Sequence, residues 1–197
     1  MNQKILLKGL RKPKSISYEK EELKSNYGKF VISPFERGFG YTLGNTLRRV
    51  LLSSLPGYSI SAIRVETYNS NNDVKVLSSE FEPIPEVKEE TLEIINNLKS
   101  VKLRLLEEIE SKTIRIEKKG ACEIKAEDLA VDDTIEIINK DFHILTLSEK
   151  GHVVIELQID LGRGYVDVER QNESIGDINA IPIDAMYSPV EKVKYDV

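Results

Sequence analysis

The sequence predicts an α+β fold with helices in its first half and a β-rich second half. Two stretches, 42–54 and 86–99, space their apolar residues as helices do. From about residue 101 the chain becomes a series of short runs rich in Ile, Val and Leu, joined by turn-like pieces such as KKGA and SEKG. The two kinds of element do not alternate regularly, which argues against a parallel doubly wound sheet.

Residues 15–24 begin with an alternating pattern that can start a strand, and GKFVISPF (28–35) reads as a strand ended by Pro34. A helix follows over 42–54. Pro56 and Gly57 punctuate the chain, and YSISAIRVETY (58–68) alternates as a strand. A second helix fits EVKEETLEIINNLK (86–99), led by Glu, which the helix dipole favours in a first turn. The strand candidates after it are VKLRLLEEIE, TIRIEK, TIEIIN, FHILTL and VVIELQID. GRGY (162–165) interrupts them, and the polar loop VERQNESIGD precedes the apolar AIPIDAMYSPV and the terminal EKVKYDV.

The bulk properties exclude several classes. The chain has 197 residues, 40% hydrophobic and 31% charged, enough for one domain or two small ones. No window approaches the ~18 uninterrupted apolar residues of a membrane span. The apolar run in MNQKILLKGLRKPK is too short for a signal peptide. A single cysteine, Cys122, excludes an internal disulfide and fits a reducing compartment, so a cytoplasmic location is expected. A net charge of −5 argues against a surface that embraces nucleic acid. The basic residues Lys4, Lys8, Arg11, Lys12 and Lys14 read as a solvated arm.

The segment ERGFGYTLGNTLRRVLLSSLPG (36–57) poses the main functional choice. Gly38, Gly40 and Gly44 precede a helix, and Glu66 lies 22 residues further on, which superficially suits a dinucleotide. The spacing is one residue too long, and four residues separate the strand from the first glycine. No further β-α units follow, and the other phosphate loop is absent because Asn45 follows Gly44. The plainer reading gives the glycines to turn geometry and close helix packing. On the helix, Leu43, Leu47, Val50 and Leu51 form one apolar stripe, enough for a small domain's own core. Leu52 falls away from it, between Asn45 and Arg48, with Arg49 further round. A leucine rimmed by Asn and Arg suits a protein contact, since the guanidinium pairs readily with carboxylates. An ordinary surface helix with two arginines remains the alternative.

FERGFGYTLGNTLRRVLLSSLPG resembles the signature of the amino-terminal domain of the bacterial RNA polymerase α subunit family. YGKFVISPFERGFG precedes it in order, EFEPIPEVKEETLEIINNLK resembles the family's acidic helix, and LGRGYV and IPIDAMYSPVEKVKYDV follow. The resemblance runs from about residue 27 to the end. It implies two subdomains: a discontinuous dimerisation subdomain at 1–57 and 185–197, and a β-rich insertion at 58–184. It implies a homodimer that docks the β and β′ subunits of a nucleotidyltransferase, touching DNA only through the holoenzyme, with no cofactor, metal or catalytic residue of its own. Asn45, Arg48, Arg49 and Leu52 are then expected at the helix that dimerises and contacts β. Lys99, Ile183 and Asp184 are expected on the insertion's surface for the large subunits. The competing expectation is a small nucleotide-binding enzyme using Gly38–Gly44.

The sequence departs from the family at Ser79-Glu80-Phe81, where a His-Glu-Phe is usual, and at Glu86, where a glycine is common. The resemblance also implies a YDV strand followed by a further strand and a long helix, and in many members a DNA-binding domain; this sequence is expected to lack them. His143 and His152 with one Cys make no zinc site. His143 reads as a packed strand residue, Cys122 as a small buried one, and Asp132-Asp133 as a turn. The acidic residues of 80–93 read as a solvated helix face, and Gly162-Arg163-Gly164 as a tight turn.

Overall fold

The computed structural model describes residues 13, 15–18, 26–68, 73–107, 109–174 and 179–197. The basic residues Lys4 to Lys14 and the second half of the 15–24 stretch lie outside the described residues. The fold is a mixed, sheet-rich α and β structure. The chain divides into two compact units, Met1–Val50 with Val193–Val197, and Leu51–Lys192.

In the first unit β1 (Ser15–Tyr18) pairs antiparallel with β2 (Phe30–Ser33), Ser15 opposite Ser33 and Tyr18 opposite Phe30. The chain then turns at Gly38, whose φ of 89° is open to glycine and strained for most other residues. The Phe39 amide closes this turn on the Glu36 carbonyl at 3.0 Å. Helix α1 (Phe39–Ser53) therefore begins three residues before the predicted start and runs across the boundary between the units.

The second unit is organised by two long strands. β3 (Pro56–Tyr68) and β10 (His152–Arg163) pair antiparallel from Thr67–Val153 to Pro56–Arg163, Val65 opposite Ile155, with one bulge between Gln158 and Ile159. β6 (Ser111–Lys119) flanks β10 on one side; β12 (Ile181–Pro182) and β4 (Val74–Val76) pair with β3. Alternation sets the two faces. Ile63, Val65, Ile114, Ile116, Ile155 and Leu157 point into the core. Arg64, Glu66, Arg115 and Glu156 stand on the other face as a row of ion pairs.

The core is closed by α2 (Thr91–Lys99), through Ile94, Ile95 and Leu98, and by two antiparallel ribbons. One joins β5 (Leu103–Leu105) to β8 (Ile135–Ile137). The other joins β7 (Cys122–Lys125) to β9 (His143–Leu147). A 3-10 helix, Ala126–Leu129, follows β7, its Asp128 carboxylate accepting from the Lys125 amide at 2.9 Å. Near the C-terminus β11 (Tyr165–Val166) pairs with β13 (Ala185–Met186), and α3 (Val168–Ser174) lies between them in sequence.

Several expectations need correction. The second helix covers Thr91–Lys99 instead of 86–99. Residues 86–88 are drawn into extended pairing with β9: Val87 bridges Leu147, the Lys88 amide donates to the Thr146 carbonyl, and the Ser148 amide to the Glu86 carbonyl. Glu86 has a φ of 62°, the left-handed conformation that explains a glycine preference there and ends any helix. The acidic positions of 80–90 are thus not a helix face. VERQNESIGD begins as α3, because Asp167 caps it: its carboxylate accepts from the Arg170 amide at 3.0 Å. Gly162 and Arg163 are not a tight turn but the end of β10, opposite Gly57 and Pro56; the break comes at Gly164, with a φ of 64°. Residues 189–197 form no strand. Cys122 is half-buried against the core, not enclosed.

The units divide at 50/51 and 192/193, where the sequence expectation set 57/58 and 184/185. Residues beside those points belong to the second unit through packing. Tyr187 is 4% exposed, and a side chain at Gly57 would strike its carbonyl oxygen.

Candidate functional site

The sequence-predicted residues fall into two groups. The first lies on α1. Asn45, Arg48 and Arg49 are exposed and Leu52 is half-buried. No residue of the helix is buried, so the stripe of Leu43, Leu47, Val50 and Leu51 does not make an internal core, contrary to the expectation. Phe39 (52%), Leu47 (38%) and Val50 (45%) are exposed outright. An amphipathic helix gains most of its stability by packing its apolar face, and this face is only partly covered. The β1–β2 pair of the same unit adds exposed Ile16, Tyr18, Phe30 and Val31. Contiguous exposed apolar residues mark an interaction surface more often than isolated ones do, and on α1 Phe39, Leu47 and Val50 share one side of the helix.

The glycines of α1 serve packing. A side chain at Gly40 would meet Val197, and one at Gly44 would meet the ring of Tyr195, both within the first unit. The space a phosphate would need beside these two glycines is filled by the C-terminal segment.

The second group is on the second unit. Lys99, the last residue of α2, forms an ion pair with Asp184. Tyr165, which the sequence reading missed, donates its hydroxyl to the Asp184 carboxylate at 3.2 Å. The signal for Tyr165 was the GRGY motif, whose tyrosine the turn at Gly164 directs onto β11. Partial burial pushes the Asp184 carboxyl up, but Lys99 and then Tyr165 outweigh it and hold the group below its ordinary value. The Tyr165 hydroxyl is pushed up, by desolvation first and by Asp184 next. Ile183 departs from expectation: it is fully buried, its amide bonded to the Ser61 carbonyl at 2.8 Å. The alternation of this segment puts Ile183 into the core and Asp184 outside, so Ile183 offers no side chain to a partner.

Elsewhere, His143 sits between two carboxylates, its Nε2 2.8 Å from Glu89 and its Nδ1 2.9 Å from Glu123. Asp132 does form a turn, accepting from the Thr134 amide at 3.0 Å, and pairs with Lys112, which lowers its carboxyl to about 2. Among the described residues, no three His, Cys, Asp or Glu side chains are grouped to hold a metal, and no helix is long and apolar enough to cross a membrane.

Residues 63–188 match the family described as "RNA polymerase Rpb3/RpoA insert domain". That span is most of the second unit and more than half of the chain, and the chain belongs to this family. Its relatives are individual polymerase subunits. The chain is 41% identical over 197 residues to "DNA-directed RNA polymerase subunit alpha" of Treponema pallidum (strain Nichols), covering 100% of this chain and 56% of that protein. It is 47% identical over 193 residues to the protein of the same name from Borreliella burgdorferi, covering 97% and 56%. With that of Leptospira biflexa it shares 46% over 199 residues, covering 100% and 58%. The chain therefore spans a little over half the length of these relatives.

Proposed function

We propose that this chain is a non-catalytic assembly subunit of a cytoplasmic DNA-directed RNA polymerase. Two copies pair through α1, and the pair docks the β and β′ subunits, which carry the nucleotidyl-transfer chemistry. The observation that carries this reading is the exposed apolar face of α1, where Phe39, Leu47 and Val50 stand in water, with Arg48 and Arg49 exposed on other sides of the same helix. Covering such a face from a second chain removes apolar surface from water at ~25 cal/mol per Å². Asn45, Arg48 and Arg49, grouped round Leu52 away from that face, supply polar groups of the kind that rim such contacts. The relatives' shared name supports the polymerase context. On the second unit, Lys99, Asp184 and Tyr165 present a preorganised charged cluster suited to the large subunits.

Sedimentation velocity of the chain alone and with a purified bacterial β subunit tests the proposal. Two copies per β is the expected result. A folded chain that neither self-associates nor binds β at micromolar concentration overturns it. Arg49→Ala is expected to weaken β binding by about 2 kcal/mol or more if Arg49 is a hot spot, with the fold intact. No observation favours a nucleotide-binding enzyme, since Tyr195 and Val197 occupy the space beside two of its three glycines.

A further inference from the structure

The segment leading into α2 is fastened to the β7–β9 ribbon at one point by an unusual arrangement. His143, on β9, faces a carboxylate from each side. Glu89 comes from the segment before α2, and its side chain is only 8% exposed. Glu123 comes from β7 and is half exposed. Glu89 is further held by Thr146, whose amide donates to Oε2 at 2.7 Å and whose hydroxyl donates to Oε1 at 2.9 Å. Among the described residues, a further charged group facing this point is Lys125, opposite His143 in the ladder and 4.0 Å from Glu123. From α2, the group that reaches β9 is the uncharged Asn97, donating to the Ile144 carbonyl at 2.9 Å.

A carboxylate only accepts hydrogen bonds when ionised, so both ring nitrogens must donate. Only the imidazolium does that. A neutral ring would turn a lone pair toward one of the two carboxylates. It would also leave the buried Glu89 charge without its counter-cation, which is costly at low exposure.

We propose that His143 is a proton-operated latch: as imidazolium it tightens the tie of residues 86–90 to the β7–β9 ribbon, and on losing a proton it loosens that tie. Glu89 keeps its two bonds from Thr146 but loses its counter-cation, so the tie is weakened at the point where the segment meets β9. The segment then opens more often, and it is the one that begins at the left-handed Glu86. The ring is held charged above the ordinary histidine range, by Glu89 first and Glu123 after it, against partial burial. Burial works on Glu89 in the opposite direction, but the Thr146 amide and His143 prevail and keep it ionised. A histidine raised in the folded state stabilises fully below its unfolded value, and the contribution fades as pH rises through the folded value. The latch is thus closed in mild acid and opens toward alkaline pH.

The test is an NMR titration of the His143 ring nitrogens in the whole chain, with amide hydrogen exchange of Lys88, Thr146 and Ser148 followed over the same range. The expected midpoint lies above the free imidazole value of ~6.5, and it falls toward that value in Glu89→Gln. Thermodynamic linkage makes the second readout quantitative. A midpoint one pH unit above that of the opened segment requires about a tenfold rise in opening across the titration, after correction for intrinsic exchange. In His143→Gln, which keeps a donor but cannot titrate, the pH-dependent component disappears. A midpoint at or below 6.5, or a high midpoint that Glu89→Gln leaves unmoved, overturns the proposal. So does opening that is independent of pH through the titration.

Discussion

Ile183 is enclosed on all sides, so truncating it acts through packing. Ile183→Ala is expected to cost about 2–5 kcal/mol in urea unfolding, the range for emptying a buried aliphatic site. Binding to the large subunits should change only as far as the fold is lost. The reverse holds at Asp184: Asp184→Asn keeps the shape, loosens Lys99 and Tyr165, and should leave stability within ~1 kcal/mol because the pair is partly exposed. Glu86 offers a third test. An L-residue in the left-handed region costs ~1–2 kcal/mol, and glycine loses ~0.5–1 kcal/mol of chain entropy when ordered. Glu86→Gly is therefore expected to be neutral or to stabilise by up to about 1 kcal/mol, read as a shift in the urea midpoint. These residues mark where sequence reading stops. A motif says that Ile183 and Asp184 stand side by side, but the pleat decides which faces the core. The Glu-rich 86–90 stretch reads as a helix start because its propensities are helical; its pairing with Leu147 and Thr146, some 60 residues away, overrides them.

Among the elements, α1 was legible as a helix because its leucines recur at helical spacing and Gly38 punctuates the chain just before it. That its apolar stripe stays only partly covered was not legible, since one chain's periodicity cannot say whose core the stripe completes. A charge on that face should cost little within the chain and much between chains. Leu47→Glu is expected to abolish self-association in sedimentation while the far-UV circular dichroism stays unchanged. β3 and β10 were readable from alternation, while β4, β11, β12 and β13, each two or three residues long, left no period to detect. α3 escaped because VERQNES has no apolar repeat; its signal was the cap at Asp167.

At the scale of the whole molecule, ion pairs bias the stability in one direction. Glu82, Asp128, Asp132 and Asp184 all sit below their ordinary values. Glu82 and Asp132 do so chiefly through Lys75 and Lys112; in Asp128 and Asp184 burial acts the other way, and Lys118 and Lys99 outweigh it. The unfolded chain then binds more protons than the folded one in acid. Their contribution is complete above the unfolded carboxylate values near 4 and is lost as pH falls toward 2. His143 works in the opposite sense, so thermal stability should decline on both sides of a broad plateau, steeply in acid and gently above neutrality. A scan of the unfolding temperature from pH 2 to 9 checks this, and a monotonic rise would contradict it.

The pairing of Val65 with Ile155 has a consequence for how the protein is made. These two central strands are about 90 residues apart, so a large loop must close before their ladder can reward it. On a ribosome adding ~5–20 residues per second, β3 emerges several seconds before β10 exists to cover it. During that interval the run from Ile60 to Ile63 with Val65, buried in the finished fold, is naked strand of the kind that aggregates. Nascent chains halted before His152 should therefore be the ones that chaperones retain, and chains released beyond Arg163 the first to resist protease.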